Sequence, residues 1–272
     1  MPKLELSSNI DDNTKDLIDQ FLNSTSNCGF IQYHRAKRSI KRKANFQKFL
    51  VRYNSKLNKN KDKYILPPNA LVGRYLETPD FYFEDDTINN LFANLLSAAS
   101  NRDTLSQAHP SYVSIIKEFS PYDAKLLNDI ICKKNNFPIA KIRIQVDSGG
   151  LPSSDNIPDS FKSLATGEDQ FTNCFHCPIN DYYDMVLTSI SINNLERLGI
   201  LKVDYSVAYT EGQIYQEIAD DPSIKQALSE YKKELILKSK KDDFYSNSIV
   251  CLIPGILFIT EYGKDFISVC CD

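Results

Sequence analysis

"QAHPSYVSIIKEFSPYDAKLLNDIICKK", Gln107 to Lys134, decides how this chain reads. Pro110 and Pro121 stand eleven residues apart, and an apolar pattern of helical spacing follows each. A helix tolerates proline in its first turn, where the missing N–H would have no partner anyway. Val113, Ile116 and Phe119 recur after the first proline. Leu126, Leu127, Ile130 and Ile131 recur after the second. Ser120 and Asp123 fit a capping box with Asp in place of the usual Glu. The stretch therefore predicts two helices joined at Ser120, with His109 at or near an N-cap.

Working toward the C terminus, "PIAKIRIQV" alternates Ile142, Ile144 and Val146 with Lys141, Arg143 and Gln145. That predicts a half-exposed strand. "DSGGLPSSDNIPDS" reads as a loop. "DYYDMVLTSISINNLERLG" reads as one or two helices ending at Gly199, and "ILKVDYSV" as a strand. Residues 211–240 are charged and helical, with a break near Pro222. "SIVCLI" and "ILFIT" flank Pro254–Gly255 as a hairpin or a bent strand. "EYGKDFISVC" predicts a closing helix with Phe266, Ile267, Val269 and Cys270 on its apolar side. From Ser120 the order is helix, strand, helical segment, strand, strand, helix. The fold class is mainly α (α+β), with a winged-helix-like C-terminal half and a helical insertion over residues 206–245.

Toward the N terminus, "DDTINNLFANLLSAAS" is the cleanest helix. Ile88, Leu91, Phe92, Leu95, Leu96 and Ala99 share one face, and Asp85 or Asp86 supplies the N-cap. "ILPPN" at Ile65–Asn69 breaks the chain. It suggests a division into residues 1–63, N-terminal helices with a basic segment, and residues 64–272. "DDNTKDLIDQFLNS" predicts a helix inside the first of these. Between His34 and Lys63 stand twelve Lys or Arg and one Asp. Ala36, Ile40, Phe46, Phe49, Leu50, Tyr53 and Leu57 give that segment an apolar side.

Net charge is −3 over 272 residues, so no overall field favours nucleic acid. The longest apolar run, "IVCLIPGILFI", is interrupted by Pro254–Gly255 and falls short of the roughly 20 residues that span a bilayer. The start lacks a basic-then-apolar leader pattern. These features predict a soluble cytoplasmic protein. Seven cysteines, irregularly spread, fit reduced thiols rather than a disulfide framework.

"LPP" at Leu66–Pro68, the helix holding "LFANLL", "HPSYVSII", "SPYDAKLL", "LERLGIL" at Leu195–Leu201 and "ITEYGKDFISVC" at Ile259–Cys270 together resemble the abortive-infection alpha (Abi-alpha) family of bacterial proteins. Order and spacing agree from about Tyr64 to Asp272. The resemblance implies a role in defence against phage. It implies no reaction and carries over no catalytic residue.

Arg102 and His109 enclose "DTLSQA", a spacing that matches the Arg-x(4–6)-His motif of HEPN-type ribonucleases. The competing reading has His109 capping a helix and Arg102 in solvent. "CFHC" groups Cys174, His176 and Cys177, but a second pair at zinc-ligand spacing is missing. There is no glycine-rich phosphate loop and no Gly-x-Ser-x-Gly elbow. No metal, cofactor or catalytic set is therefore expected. The helix that would enter a DNA groove offers Ser189, Ser191, Asn193, Asn194, Glu196 and Arg197. One cation is too few for phosphate-driven affinity, so a protein-contact or scaffold winged helix is the better fit.

The sequence thus predicts a non-enzymatic defence component. It would bind a protein or nucleic-acid partner through Arg35, Lys37, Arg38, Lys41, Arg42, Lys43, Lys48 and Arg52. No membrane contact is expected, and an oligomer is compatible with the reading. The alternatives are a ribonuclease using Arg102 and His109, and a DNA-binding regulator.

Overall fold

Two short-range signals shape the second half of the molecule: the capping box at Ser120 and a glycine at 199. In the computed structural model, which describes residues 30–58, 61–76, 85–129, 134–147, 157–176 and 184–271, both act as the sequence predicts. Ser120 N–H donates to Asp123 Oδ2 at 2.7 Å, and Asp123 N–H donates to Ser120 Oγ at 3.1 Å. Gly199 takes φ 77°, where a side chain would be strained. Gly199 N–H then reaches Glu196 O and Ile200 N–H reaches Leu195 O, which closes the preceding helix in a Schellman motif.

The chain divides into two compact units, Met1–Val113 and Ser114–Asp272. The first contains helices α1 (Phe30–Asn58), α2 (Asn69–Leu76) and α3 (Asp86–Ala99), and the start of α4 (Ser111–Lys117). Asp85 is the N-cap of α3, accepting the N–H groups of Thr87 and Ile88 at 2.9 Å. Ile88, Leu91, Phe92, Ala93, Leu95 and Ala99 of α3 are buried. From α1, Phe49 is buried and stacks on Tyr53, whose hydroxyl meets Ser100 Oγ at 2.7 Å. The proline break at Leu66–Pro68 lies inside this unit. Just before it, Ile65 N–H donates to Ser100 O, and Arg102 N–H donates to Lys63 O.

The second unit continues with α5 (Pro121–Asp129), β1 (Asn136–Val146), β2 (Gly167–Cys174), α6 (Met185–Arg197) and β3 (Leu201–Asp204). It closes with α7 (Gln216–Asp220), α8 (Pro222–Ser239), β4 (Ser248–Ile259) and α9 (Glu261–Cys270). The four strands form one antiparallel sheet in the order β2-β1-β4-β3. Of the two readings of Pro254–Gly255, the hairpin is not the one observed: β4 continues through both residues as a single strand. β3 pairs with β4 only from Ile256 to Ile259, so Pro254 lies beyond its end. That is where a strand tolerates a residue without an N–H. Gly255 is needed because a Cβ there would stand 2.6 Å from the Tyr205 ring.

β1 departs from the expected half-exposed strand. Ala140, Ile142 and Ile144 join Val250, Leu252 and the α8 residues Ile224, Ala227, Leu228 and Leu235 in one core. The opposite side of β1 is covered as well: Lys141 is 8% exposed and Gln145 1%. Gln145 Nε2 donates to Ser163 O at 2.7 Å, and its Oε1 accepts Ala165 N–H at 3.0 Å. Arg143 donates to the carbonyls of Ala165 and Gly167, and both Arg143 and Lys141 pair with Asp169. Charges leave water only when paired in this way. β2 has no counterpart in the sequence reading. It is a polar edge strand, "GEDQFTNC", whose pairing with β1 is interrupted by two register shifts. Such bulges protect an open edge and also erase the alternation that marks a strand.

α9 meets its expectation. Thr260 Oγ1 accepts Gly263 N–H at 2.8 Å, and Phe266, Val269 and Cys270 are buried. Phe266 meets Phe119 edge-on, with ring centroids 5.8 Å apart. The helix expected within residues 11–24, like Ile130 and Ile131, falls outside the described residues. Among the described residues, no helix is long and apolar enough to cross a membrane.

Candidate partner-binding surfaces

The eight basic residues singled out in the sequence lie on the single helix α1. From Arg35 to Arg52 this is a rod of about 26 Å at the helical rise per residue. Arg52 turns toward α3. Its Nη2 donates to Asp86 Oδ1 at 2.9 Å and its Nη1 to Asp86 O at 3.1 Å. Lys48 Nζ lies 3.7 Å from the same carboxylate. The hydrogen bond from Arg52 is the main reason the Asp86 carboxyl is held below its ordinary range. Lys48 and Arg52 therefore have an intramolecular partner at the start of α3, where a negative charge is also favoured by the helix dipole. The side chains of Arg35, Lys37, Arg38, Lys41, Arg42 and Lys43 lie outside those described. Among the described side chains of α1, Phe49 is buried, while Phe46, Leu50 and Val51 are exposed.

His109 is exposed and serves as a cap for α4. Its Nδ1 accepts the Ser111 N–H at 3.2 Å and lies 2.7 Å from Ser111 Oγ. This is the geometry of a side-chain N-cap, supplied here by an imidazole. Arg102 is exposed in the turn after α3.

In "CFHC", Cys174 is buried, and burial pushes its thiol up to about 12. His176 Nδ1 meets Asp221 Oδ2 at 2.9 Å. The other oxygen of Asp221 caps α8 through the N–H groups of Ser223 and Ile224. The pair ties the end of β2 to the start of α8. Cys177 falls outside the described residues. Among the described residues, no group of three or more His, Cys, Asp or Glu is arranged to hold a metal ion.

The least expected surface is on α6. Thr188, Ser189 and Ser191, together with Ile192 and Leu195, face inward. Thr188 Oγ1 meets Tyr122 OH at 2.7 Å, and Ser189 Oγ donates to Thr172 O at 2.9 Å. Asn194 Nδ2 donates to Asp123 Oδ2 and Glu118 O, joining α6 to the capping box of α5. Ser189 and Ser191, read from the sequence as groove-facing, are thus buried. Small polar side chains fit close packing there, and Thr188 and Ser189 find a hydroxyl and a backbone partner. The outward face carries Val186, Leu187 and Ile190, at 52%, 46% and 56% exposure. The cation on this helix, Arg197, is paired with Glu118. The signal was present in the spacing: 186, 187 and 190 form one apolar cluster, 192 and 195 another, and the two lie on different sides.

These features describe a mixed helix-and-strand protein. A family model described as abortive infection alpha matches residues 41–270, and the chain belongs to that family. The match begins within α1 and takes in Lys41, Arg42, Lys43, Lys48 and Arg52, further upstream than the motifs from Tyr64 suggest. Comparison with curated proteins and with solved structures gives no match.

Proposed function

We propose that the protein is a non-enzymatic component of bacterial abortive infection that acts in the cytoplasm by binding a protein partner through α6. Family membership supports the defence role. The observation that carries the binding mode is the divided apolar surface of α6, which buries Thr188, Ser189 and Ser191 beside Ile192 and Leu195 while leaving Val186, Leu187 and Ile190 in water. An amphipathic helix normally turns its aliphatics to one inward face, and a cluster of exposed aliphatics marks a contact surface. The helix, strand and paired β3–β4 order, with α7 and α8 inserted, supports a winged-helix-like reading of this unit. In that reading α6 holds the place of a groove-entering helix. Its outward aliphatics favour a protein over DNA, which would call for several free cations. Leu187→Asp with Ile190→Asp should leave the fold intact and abolish protection of cells against phage. Full protection by a stably folded double variant would defeat the proposal.

A second reading, binding of nucleic acid, is favoured by one observation: eight cations share the single helix α1. Reversing Lys37, Arg38, Lys41 and Arg42 to glutamate should then weaken partner binding, and the wild-type binding should fall steeply with salt. Unchanged protection by that variant would reduce the segment to a solvated face.

A further inference from the structure

α8 ends in a second exposed apolar spot of a different character. Tyr231 to Lys241 reads "YKKELILKSKK". Leu235 is buried with Ile224 and Leu228, which fixes the inward line of this helix. On the other side, Lys232 stands four residues before Ile236 and Lys233 four before Leu237, while Lys240 and Lys241 follow at the C-cap and in the closing turn. Residues four apart stack along a helix face. Ile236 is 58% exposed and Leu237 61%. The four lysines are exposed, and none has an ion-pair partner among the described residues. Neighbouring charges are already engaged: Lys238 pairs with Glu234 at 2.9 Å, and Glu230 accepts a bond from the Gln226 amide. Asp242, just past the helix, tempers the positive field. Two exposed aliphatics therefore stand on a ridge of the helix between two pairs of lysines that have no ion-pair partner among the described residues.

We propose that this ridge is a peripheral docking site for an anionic lipid bilayer. A bilayer accepts a protruding pair of aliphatics without any preformed groove. Long lysine stems lie beside them while the ammonium groups reach the phosphate oxygens. An anionic leaflet attracts each such lysine, and the attraction fades within a Debye length. With two aliphatics and four cations the attachment is reversible and salt-sensitive. Its residues are different from those proposed on α6 and α1.

The test is co-sedimentation of the full chain with two kinds of vesicle. One is phosphatidylcholine alone; the other contains about one-third phosphatidylglycerol. Each arm is repeated with Lys37, Arg38, Lys41 and Arg42 replaced by glutamate, so that α1 does not supply the attachment. The proposal expects binding to the anionic vesicles only, at low salt. Ile236→Ser with Leu237→Ser, and separately Lys232→Glu with Lys240→Glu, should each weaken it roughly tenfold or more with an unchanged melting curve. Equal retention of the serine variant and its parent overturns the proposal, as does absence of binding to anionic vesicles. If a soluble poly-glutamate peptide binds the ridge in a serine-sensitive manner while vesicles do not, the site takes an acidic protein and the lipid assignment falls.

Discussion

α9 and α6 are both short helices of the second unit, and they obey opposite rules. α9 buries Phe266, Val269 and Cys270 and turns Glu261, Lys264 and Asp265 outward. Its position follows from burying apolar surface. α6 also buries Ile192 and Leu195, but it fills the rest of its inward face with Thr188, Ser189 and Ser191 and leaves three aliphatics outside. Part of its attachment therefore comes from hydrogen bonds to Tyr122, Thr172, Asp123 and Glu118. The difference separates residues held for the fold from residues available to something else. On α9, the exposed large hydrophobic is Tyr262, whose ring ends in a polar hydroxyl. On α6, an apolar surface is left over that the fold does not use.

The comparison breaks most readily at Phe266. Phe266→Ala should cost about 3–5 kcal/mol, because the ring is fully buried against Phe119. A loss below about 1 kcal/mol in denaturant titration would mean that α9 is not held by its apolar side. On α6 the corresponding loss comes from a hydroxyl. Thr188→Val keeps the shape but removes one partner of Tyr122 OH, which also accepts Asp184 N–H, and should cost about 0.5–1.5 kcal/mol. A neutral result would show that packing alone holds α6.

A smaller effect concerns the sheet that both helices serve. Burial alone would raise the Asp169 carboxyl, but hydrogen bonds from Lys141 and Arg143, with their charges, outweigh it and hold the carboxyl below its ordinary value. A carboxyl depressed in the folded state contributes stability that is present above its unfolded pKa of about 3.9 and is lost as pH falls through the folded value. The wild type should therefore lose stability below the usual carboxylate range, and Asp169→Asn should flatten that part of the acid profile. Identical acid profiles for the two would remove the ion pairs from the account. The smallest effect is expected on the outward face of α6, where Ile190→Ser should change stability by no more than about 0.5 kcal/mol.

The same contrast explains what could be read in the sequence. The capping box at Ser120, the Schellman glycine at 199, the Asp85 cap and the His109 cap are decided within a few residues, so local patterns reveal them. The buried side of β1 is not local. Lys141 and Gln145 look like solvent-facing residues until the segment from Ser163 to Asp169, some twenty residues later, covers them. β2 was hidden because an edge strand with bulges and a polar composition carries no alternation. The site on α6 was partly legible: the helix and its end were predicted, but its inward direction was not. Serine and threonine pack inside as readily as they face water once partners are present, and those partners come from α5 and β2.

The most direct test sets two neighbouring isoleucines against each other. Ile190 is 56% exposed and Ile192 is fully buried. Aspartate is placed at each position in turn, and the melting curve is read beside the efficiency of phage plating. The account predicts that Ile192→Asp unfolds the second unit and loses protection with it, whereas Ile190→Asp melts like the wild type and still loses protection. An Ile190→Asp variant that melts normally and protects fully would contradict the assignment of α6 as the partner-binding surface.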